Sequence, residues 1–229
     1  SAPATVFSSI DHGGRYAYAN QPPVVQWNLA RLAETLLPLI DDDLQVASDL
    51  AMEVLVAFPD RYERHWAAGV AAKHGLDPDD GDGELSRDLL ALLHRRRVDF
   101  TSAFRALTVV LRGDDGPARR LLADAAGGAA GEADPELDGW LARWRGRVEE
   151  GGRDPHDVAE AMDAVNPVYI PRNHLVDEAL AAATAGDLAP FEVLLARVTD
   201  PFTEQPDARR YAEPAPEEFT ETFQTFCGT

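Results

Sequence analysis

The sequence predicts an all-α protein, and three observations lead there. Apolar residues recur at helical spacing along most of the chain. No stretch alternates apolar and polar residues long enough to read as a strand. Explicit helix starts occur at "DPEL" (134–137) and "DPHD" (154–157), each an Asp N-cap followed by Pro in the first turn.

The elements follow in order. Val25, Leu29, Leu32, Leu36 and Ile40 stripe a first helix that opens at Pro22-Pro23, where the first turn needs no backbone donor. Leu44 to Phe58 is a second. Pro59-Asp60 marks a break before a third, Arg61 to His74, which Gly75 caps. Leu85, Leu89, Leu92 and Leu93 stripe a fourth, and Phe104, Leu107 and Leu111 lie on one face of a fifth, Phe100 to Leu111. Asp134 and Asp154 start two more. "RNHLVDEALAAATAGD" (172–187) is an alanine-rich helix closed by Gly186, and "PFEVLLARV" (190–198) is a short one. Stretches 75–84 and 125–135 read as Gly/Asp/Ala-rich loops, and the tail from Pro201 has no clear period. Helices on both sides of 125–135 need each other for burial. The expected organisation is therefore an N-terminal loop (1–22), one helical domain (23–206) and a tail (207–229) that carries Cys227.

Charge narrows the partners. The 229 residues hold 40 acidic and 21 basic side chains, a net charge of −19. That field repels phosphate backbones and acidic membrane surfaces, so neither nucleic acid nor membrane is expected as a partner. Cys227 is the one cysteine and makes no internal disulfide. No basic-then-apolar leader and no bilayer-length apolar run is present, so the expectation is a soluble, cytoplasmic chain.

Tests for common chemistry fail. "DPDDGDGE" (77–84) invites a calcium reading, but neither Asp77 nor Asp80 as a first ligand gives EF-hand spacing. His12, His65, His74, His94, His156 and His174 form no close ligand pair, and no CxxC exists. His94 with Arg95–Arg97 ends a helix, where cations complement the dipole; an anchor for a phosphate or an acidic loop is the minority reading. There is no nucleophile elbow and no glycine-rich phosphate loop. Lys73, the one lysine, sits on a helix and not on a strand beneath such a loop. No metal ligand, cofactor-binding or catalytic residue is assigned to this segment.

The stretch "FSSIDHGGRYAYANQPPVVQWN" (7–28) is the densest polar and aromatic segment. With "VDFTSAFRAL" (98–107) and "NPVYIPRNHLVDEALAAATAGDLAPFEVLLARVTDPFTEQP" (166–206) it carries a resemblance to the C-terminal half of the selenoprotein O family, also called YdiU. The matching features are Asp11, Gly14-Arg15-Tyr16, Asn20-Gln21-Pro22, Trp27-Asn28, Asn166-Pro167, Tyr169 and Arg172-Asn173.

The resemblance implies the helical C-lobe and C-terminal extension of a protein-kinase-like fold, a pseudokinase that transfers AMP from ATP to protein hydroxyls with magnesium. In the family, the nucleotide and metal residues lie upstream of the "FSSID" block, and none can be carried over to this chain. ATP and Mg2+ are thus expected of the full-length parent, with no cofactor expected of this segment, which is expected to be inactive alone. Its expected partners are the missing N-terminal catalytic half and the parent's protein substrates, with a tendency to dimerise through exposed apolar surface. Residues 7–28 resemble the family's counterpart of an activation segment. That makes Asp11, His12, Arg15 and Tyr16 cleft-edge or substrate-platform candidates. The plainer reading is that Asp11 and Arg15 pair to hold the loop while Tyr16 and Tyr18 pack. Cys227 matches the family's redox position, although Gly228-Thr229 replaces the usual serines and Phe7, Ser8 and Ser9 stand where some members place a partner thiol.

Two other functions compete. One is an independent acidic helical module that binds a basic protein. The other is a helical hydrolase built from Asp41–Asp43 and the 77–84 loop, which lacks a His/Asp set at ligand spacing.

Overall fold

Asn20 sits at the N-cap of the first long helix, and Pro22 and Pro23 follow in its first turn. This helix, α1, runs Gln21–Ile40 after a 3-10 turn at Tyr18–Asn20. The computed structural model describes residues 4–77, 83–126 and 134–225. Within them the helices are α2 (Leu44–Val56), α3 (Phe58–Lys73), α4 (Gly83–Arg95), α5 (Phe100–Leu111), α6 (Gly116–Ala126), α7 (Pro135–Glu150), α8 (Pro155–Asp163), α9 (Asn173–Thr184), α10 (Ala189–Thr199), α11 (Arg209–Ala212) and α12 (Glu217–Thr222). No strand occurs among the described residues, so the all-α class holds. No helix among them is long and apolar enough to cross a membrane.

Two local expectations are corrected. Pro59 does not interrupt a helix: α2 ends at Val56, and Pro59 is the second residue of α3, where its missing N–H costs nothing. The tail also holds helical turns, α11 and α12, too short for a periodic pattern to reveal them.

The chain divides into two compact units, residues 1–68 with 224–229 and residues 69–223, the boundary falling inside α3. In the first unit α1 packs along α2. Asp43 caps α2 by accepting from the Gln45 and Val46 amides, and Gln26 Nε2 donates to the Leu55 carbonyl at 3.0 Å. The described tail residue Thr225 also belongs here. Its carbonyl accepts from Ser9 N at 2.8 Å and from Ser9 Oγ at 3.0 Å.

The second unit holds the main core. Leu85, Leu89 and Leu92 of α4 meet Leu137, Trp140 and Trp144 of α7, while Phe104 and Val110 of α5 face Val158 and Met162 of α8. Each such fully buried side chain contributes about 1.5–3 kcal/mol. Trp140 and Trp144 stack at 5.6 Å, and both indole N–H groups are satisfied, donating to the carbonyls of Leu85 and His74. α9 and α10 form a smaller cluster around Leu175, Ala179 and Leu194. Arg95 and Arg96 end α4 and reach the start of α7, where Arg96 pairs with Asp134 and Glu136. Arg95 and Arg96 thus tie the end of α4 to the first turn of α7.

His74 is fully buried in this core, against Phe104 and Trp140. Its Nδ1 lies 2.8 Å from the Val70 carbonyl and so carries the proton, while Nε2 has no partner among the described residues. Burial drives its pKa down to about 4, the Val70 bond opposing and Lys73 assisting. The unfolded chain therefore binds this proton more readily than the folded one. Stability associated with neutral His74 is complete above the ordinary histidine pKa of about 6.5 and falls as pH drops toward 4. The loss amounts to about 3 kcal/mol. Urea denaturation across this range is expected to show that slope, and His74→Phe is expected to flatten it.

Candidate substrate-platform loop

The loop before α1 is organised by one carboxylate. Asp11 Oδ1 accepts the Arg15 amide at 2.9 Å and Oδ2 accepts the Tyr16 amide at 2.8 Å. Gly14, at φ +65°, makes the bend, and its carbonyl accepts Asn20 Nδ2 at 2.8 Å and Ala17 N at 3.1 Å. The turn "GRYAYAN" is therefore closed by Asp11 at one end and Asn20 at the other. Ala17 is the buried residue of the loop.

Both carboxylate oxygens of Asp11 are used on backbone donors, so the expected Asp11–Arg15 side-chain pair does not form. The Arg15 guanidinium lies over the Trp27 ring, 4.8 Å from its centroid, and 5.6 Å from that of Tyr16. Arg31 approaches the Trp27 ring at 5.5 Å and pairs with Glu34. No described carboxylate lies within ion-pair distance of Arg15. His12, Arg15 and Tyr16 are exposed, and Asp11 is partly so. Of the four candidates, Asp11 builds the loop, Arg15 and Tyr16 are presented side by side, and His12 stands out to solvent. An exposed guanidinium held on an aromatic face binds acidic groups, since the stack restrains it without neutralising it.

The other motif blocks are fasteners within the second unit. Asp99 caps α5 through the Ser102 amide and hydroxyl, and its carboxylate also takes both terminal nitrogens of Arg172 at 2.9 and 3.0 Å. Burial pushes the Asp99 carboxyl up, but the bonds from Arg172 and Ser102 outweigh it and hold the group below the usual carboxylate range. Arg172, itself buried, donates further to the Ala212 carbonyl. Asn166 donates to the Lys73 carbonyl at 3.0 Å and accepts from Lys73 Nζ at 3.2 Å. Tyr169 receives the Gln205 amide on its hydroxyl. Sequence reasoning recognised these residues as a pattern but gave them no role.

Among the described residues, no group of three or more His, Cys, Asp or Glu side chains could hold a metal ion. Lys73 spends its ammonium on Val165 and Asn166, over the Phe100 and Phe104 rings. Cys227 and most of the 77–84 loop lie outside the described residues.

A family-wide sequence profile described as "Protein adenylyltransferase SelO" matches residues 2–199. The chain belongs to the SelO family. It is 54% identical over 229 residues to the "Protein nucleotidyltransferase YdiU" of Mycobacterium sp. (strain KMS). Identity is 51% over 227 residues to the protein of that name from Rhodococcus jostii (strain RHA1), and 50% over 228 to that of Cereibacter sphaeroides (strain KD131 / KCTC 12085). Each alignment takes in 99% of this chain but only 44%, 42% and 44% of these SelO relatives respectively. The chain thus spans less than half the length of the curated relatives it matches.

Proposed function

We propose that this chain is the C-terminal helical portion of a protein adenylyltransferase and supports a nucleotide site built elsewhere in the full-length protein. The reaction is AMP transfer: a protein hydroxyl oxygen bonds to the α-phosphorus of ATP, the bond to the β-phosphate breaks, and pyrophosphate leaves. The observation that carries the reading is the family match over residues 2–199, on a chain that spans less than half the length of its curated relatives. In this reading ATP and Mg2+ are held by the missing N-terminal half. The 7–28 loop borders the cleft, with Asp11 holding its shape and Arg15 and Tyr16 meeting the protein substrate. In this reading Cys227 has a redox role against a cysteine in the upstream half, and the described tail residue Thr225 bonds to Ser9 of the "FSSID" block.

The test is AMP transfer from labelled ATP to a protein acceptor. This chain alone is expected to transfer nothing. The same chain preceded by the complementary part of the mycobacterial relative is expected to label protein. In that joined protein Arg15→Ala is expected to raise KM for the protein acceptor several-fold and to leave ATP binding unchanged. AMP transfer by the isolated chain would overturn the reading.

A further inference from the structure

α5 turns a charged edge to a cleft inside the unit spanning residues 69–223. Arg105 and Val109 lie one above the other on that edge, and Arg112, just past the helix end, extends it about two turns on from Arg105. Val109, with Pro117 and Leu121 of α6 and with Val168, gives the cleft an apolar wall. Arg105, Arg112 and Glu204 are its charged lining. The cleft encloses about 350 Å³. Small-molecule sites have this size and this make-up, an apolar wall with a few convergent polar groups.

The two guanidiniums converge on one carboxylate. Arg105 Nη1 is 2.5 Å from Asp163 Oδ1, and Arg112 Nη2 is 2.6 Å from Asp163 Oδ2. Asp163, at the end of α8, thereby holds the arginines side by side and balances only one of them. The second positive charge is poorly matched. Glu204 stands 3.7 Å from Arg105 Nη2, beyond hydrogen-bond reach, and its side chain is 76% exposed. A pair so long and so wet contributes little. Among the described residues Asp163 is the one carboxylate paired with Arg112. Each guanidinium has five N–H donors to place, so donors remain for a further acid at the edge of an apolar cleft.

We propose that this cleft binds a small organic acid, its carboxylate on Arg105 and Arg112 in place of Glu204 and its hydrocarbon body against Val109, Leu121 and Val168. Charge and shape both select that class. A planar carboxylate matches the guanidinium fork. A bare inorganic anion would leave the apolar wall in water, and an uncharged hydrocarbon would cover the arginine donors without answering them. Glu204 is a tethered competitor that swings out as the ligand enters. The site lies wholly within one unit and owes nothing to the nucleotide chemistry proposed above.

The experiment is calorimetric titration of this chain with 2-naphthoate. Saturable one-to-one binding is expected. 2-Naphthamide keeps the body and lacks the charge, while acetate keeps the head and lacks the body. Each is expected to bind at least about tenfold more weakly. Arg112→Gln is expected to weaken 2-naphthoate at least about tenfold through loss of its charge-assisted bonds. Glu204→Gln is expected to act in the opposite direction and tighten it several-fold. Position 204 is exposed, so this variant keeps the fold even if Arg112→Gln loosens α5, and circular dichroism checks both.

Absence of saturable 2-naphthoate binding would overturn the proposal. So would binding that ignores both substitutions, because the acid would then sit on another apolar surface. Equal affinity for the acid and its amide would remove the role of the two arginines and overturn it as well. The titration uses neither ATP nor a protein acceptor, so failure of the AMP-transfer reading leaves its result unchanged.

Discussion

Arg172→Ala is expected to destabilise the unit spanning residues 69–223 by about 3–5 kcal/mol. The guanidinium is buried and makes three hydrogen bonds that join separate parts of the chain. Two go to Asp99 at the start of α5 and one to the Ala212 carbonyl at the end of α11. Truncation leaves the partly buried Asp99 carboxylate charged with only Ser102 to serve it. Arg172→Lys keeps the charge but loses the fork, so an intermediate loss is expected. Urea titration at pH 7 measures both. The pH dependence has a definite sign. The folded Asp99 carboxyl titrates below its unfolded value of 3.8, so its contribution is present above that pH and is lost as pH falls through the folded pKa. Arg172→Ala is expected to remove this acid limb of the stability curve.

Gly75→Ala is the second large effect, expected at about 2–4 kcal/mol from strain and overpacking together. Gly75 ends α3 at φ +70°, a conformation that carries a penalty for any Cβ. The cap is a Schellman arrangement, with Leu76 N donating to the Ala71 carbonyl at 2.9 Å and Gly75 N to Ala72 at 3.1 Å. A methyl group here would lie 2.3 Å from Val158 Cγ1 and 2.9 Å from Met162 Sδ. Both neighbours are core residues of α8 with no room to retreat. A thermal melt suffices, with Gly152→Ala as the control: Gly152 also has positive φ but meets nothing within 4 Å. That variant is expected to lose only about 1 kcal/mol.

The contrast between these two glycines marks how far sequence reaches. Gly75 as the closing residue of α3 was legible, because glycine after a periodic run is the usual stop signal. The contact with Val158 was not, because it joins positions more than eighty residues apart. The same division runs through the candidate site. Asp11, Arg15 and Tyr16 stood out by residue type, yet their pairing was misjudged. Asp11 takes backbone amides four and five residues on, as short acidic side chains do in turns, and leaves Arg15 to Trp27. The Asp99 cap on α5 was hidden because the fifth helix was placed by its stripe and not by its start. α6 was missed: it begins at Gly116-Pro117 and its apolar residues are few. The exposed apolar residues of α2 were present in the sequence as a run, but only packing tells which of them remain uncovered.

The bond between Thr225 and Ser9 has a consequence for synthesis on the ribosome. The two pieces of the unit built from residues 1–68 and 224–229 are separated along the message by the codons of the other unit. Residues 69–223 have emerged, or nearly so, before the last stitch of the first unit can close, although domains as a rule fold in the order they are made. While residues 69–223 are being made, the apolar helices α1 and α2 wait in an unfinished unit. A nascent chain stalled before residue 224 would offer them to chaperones.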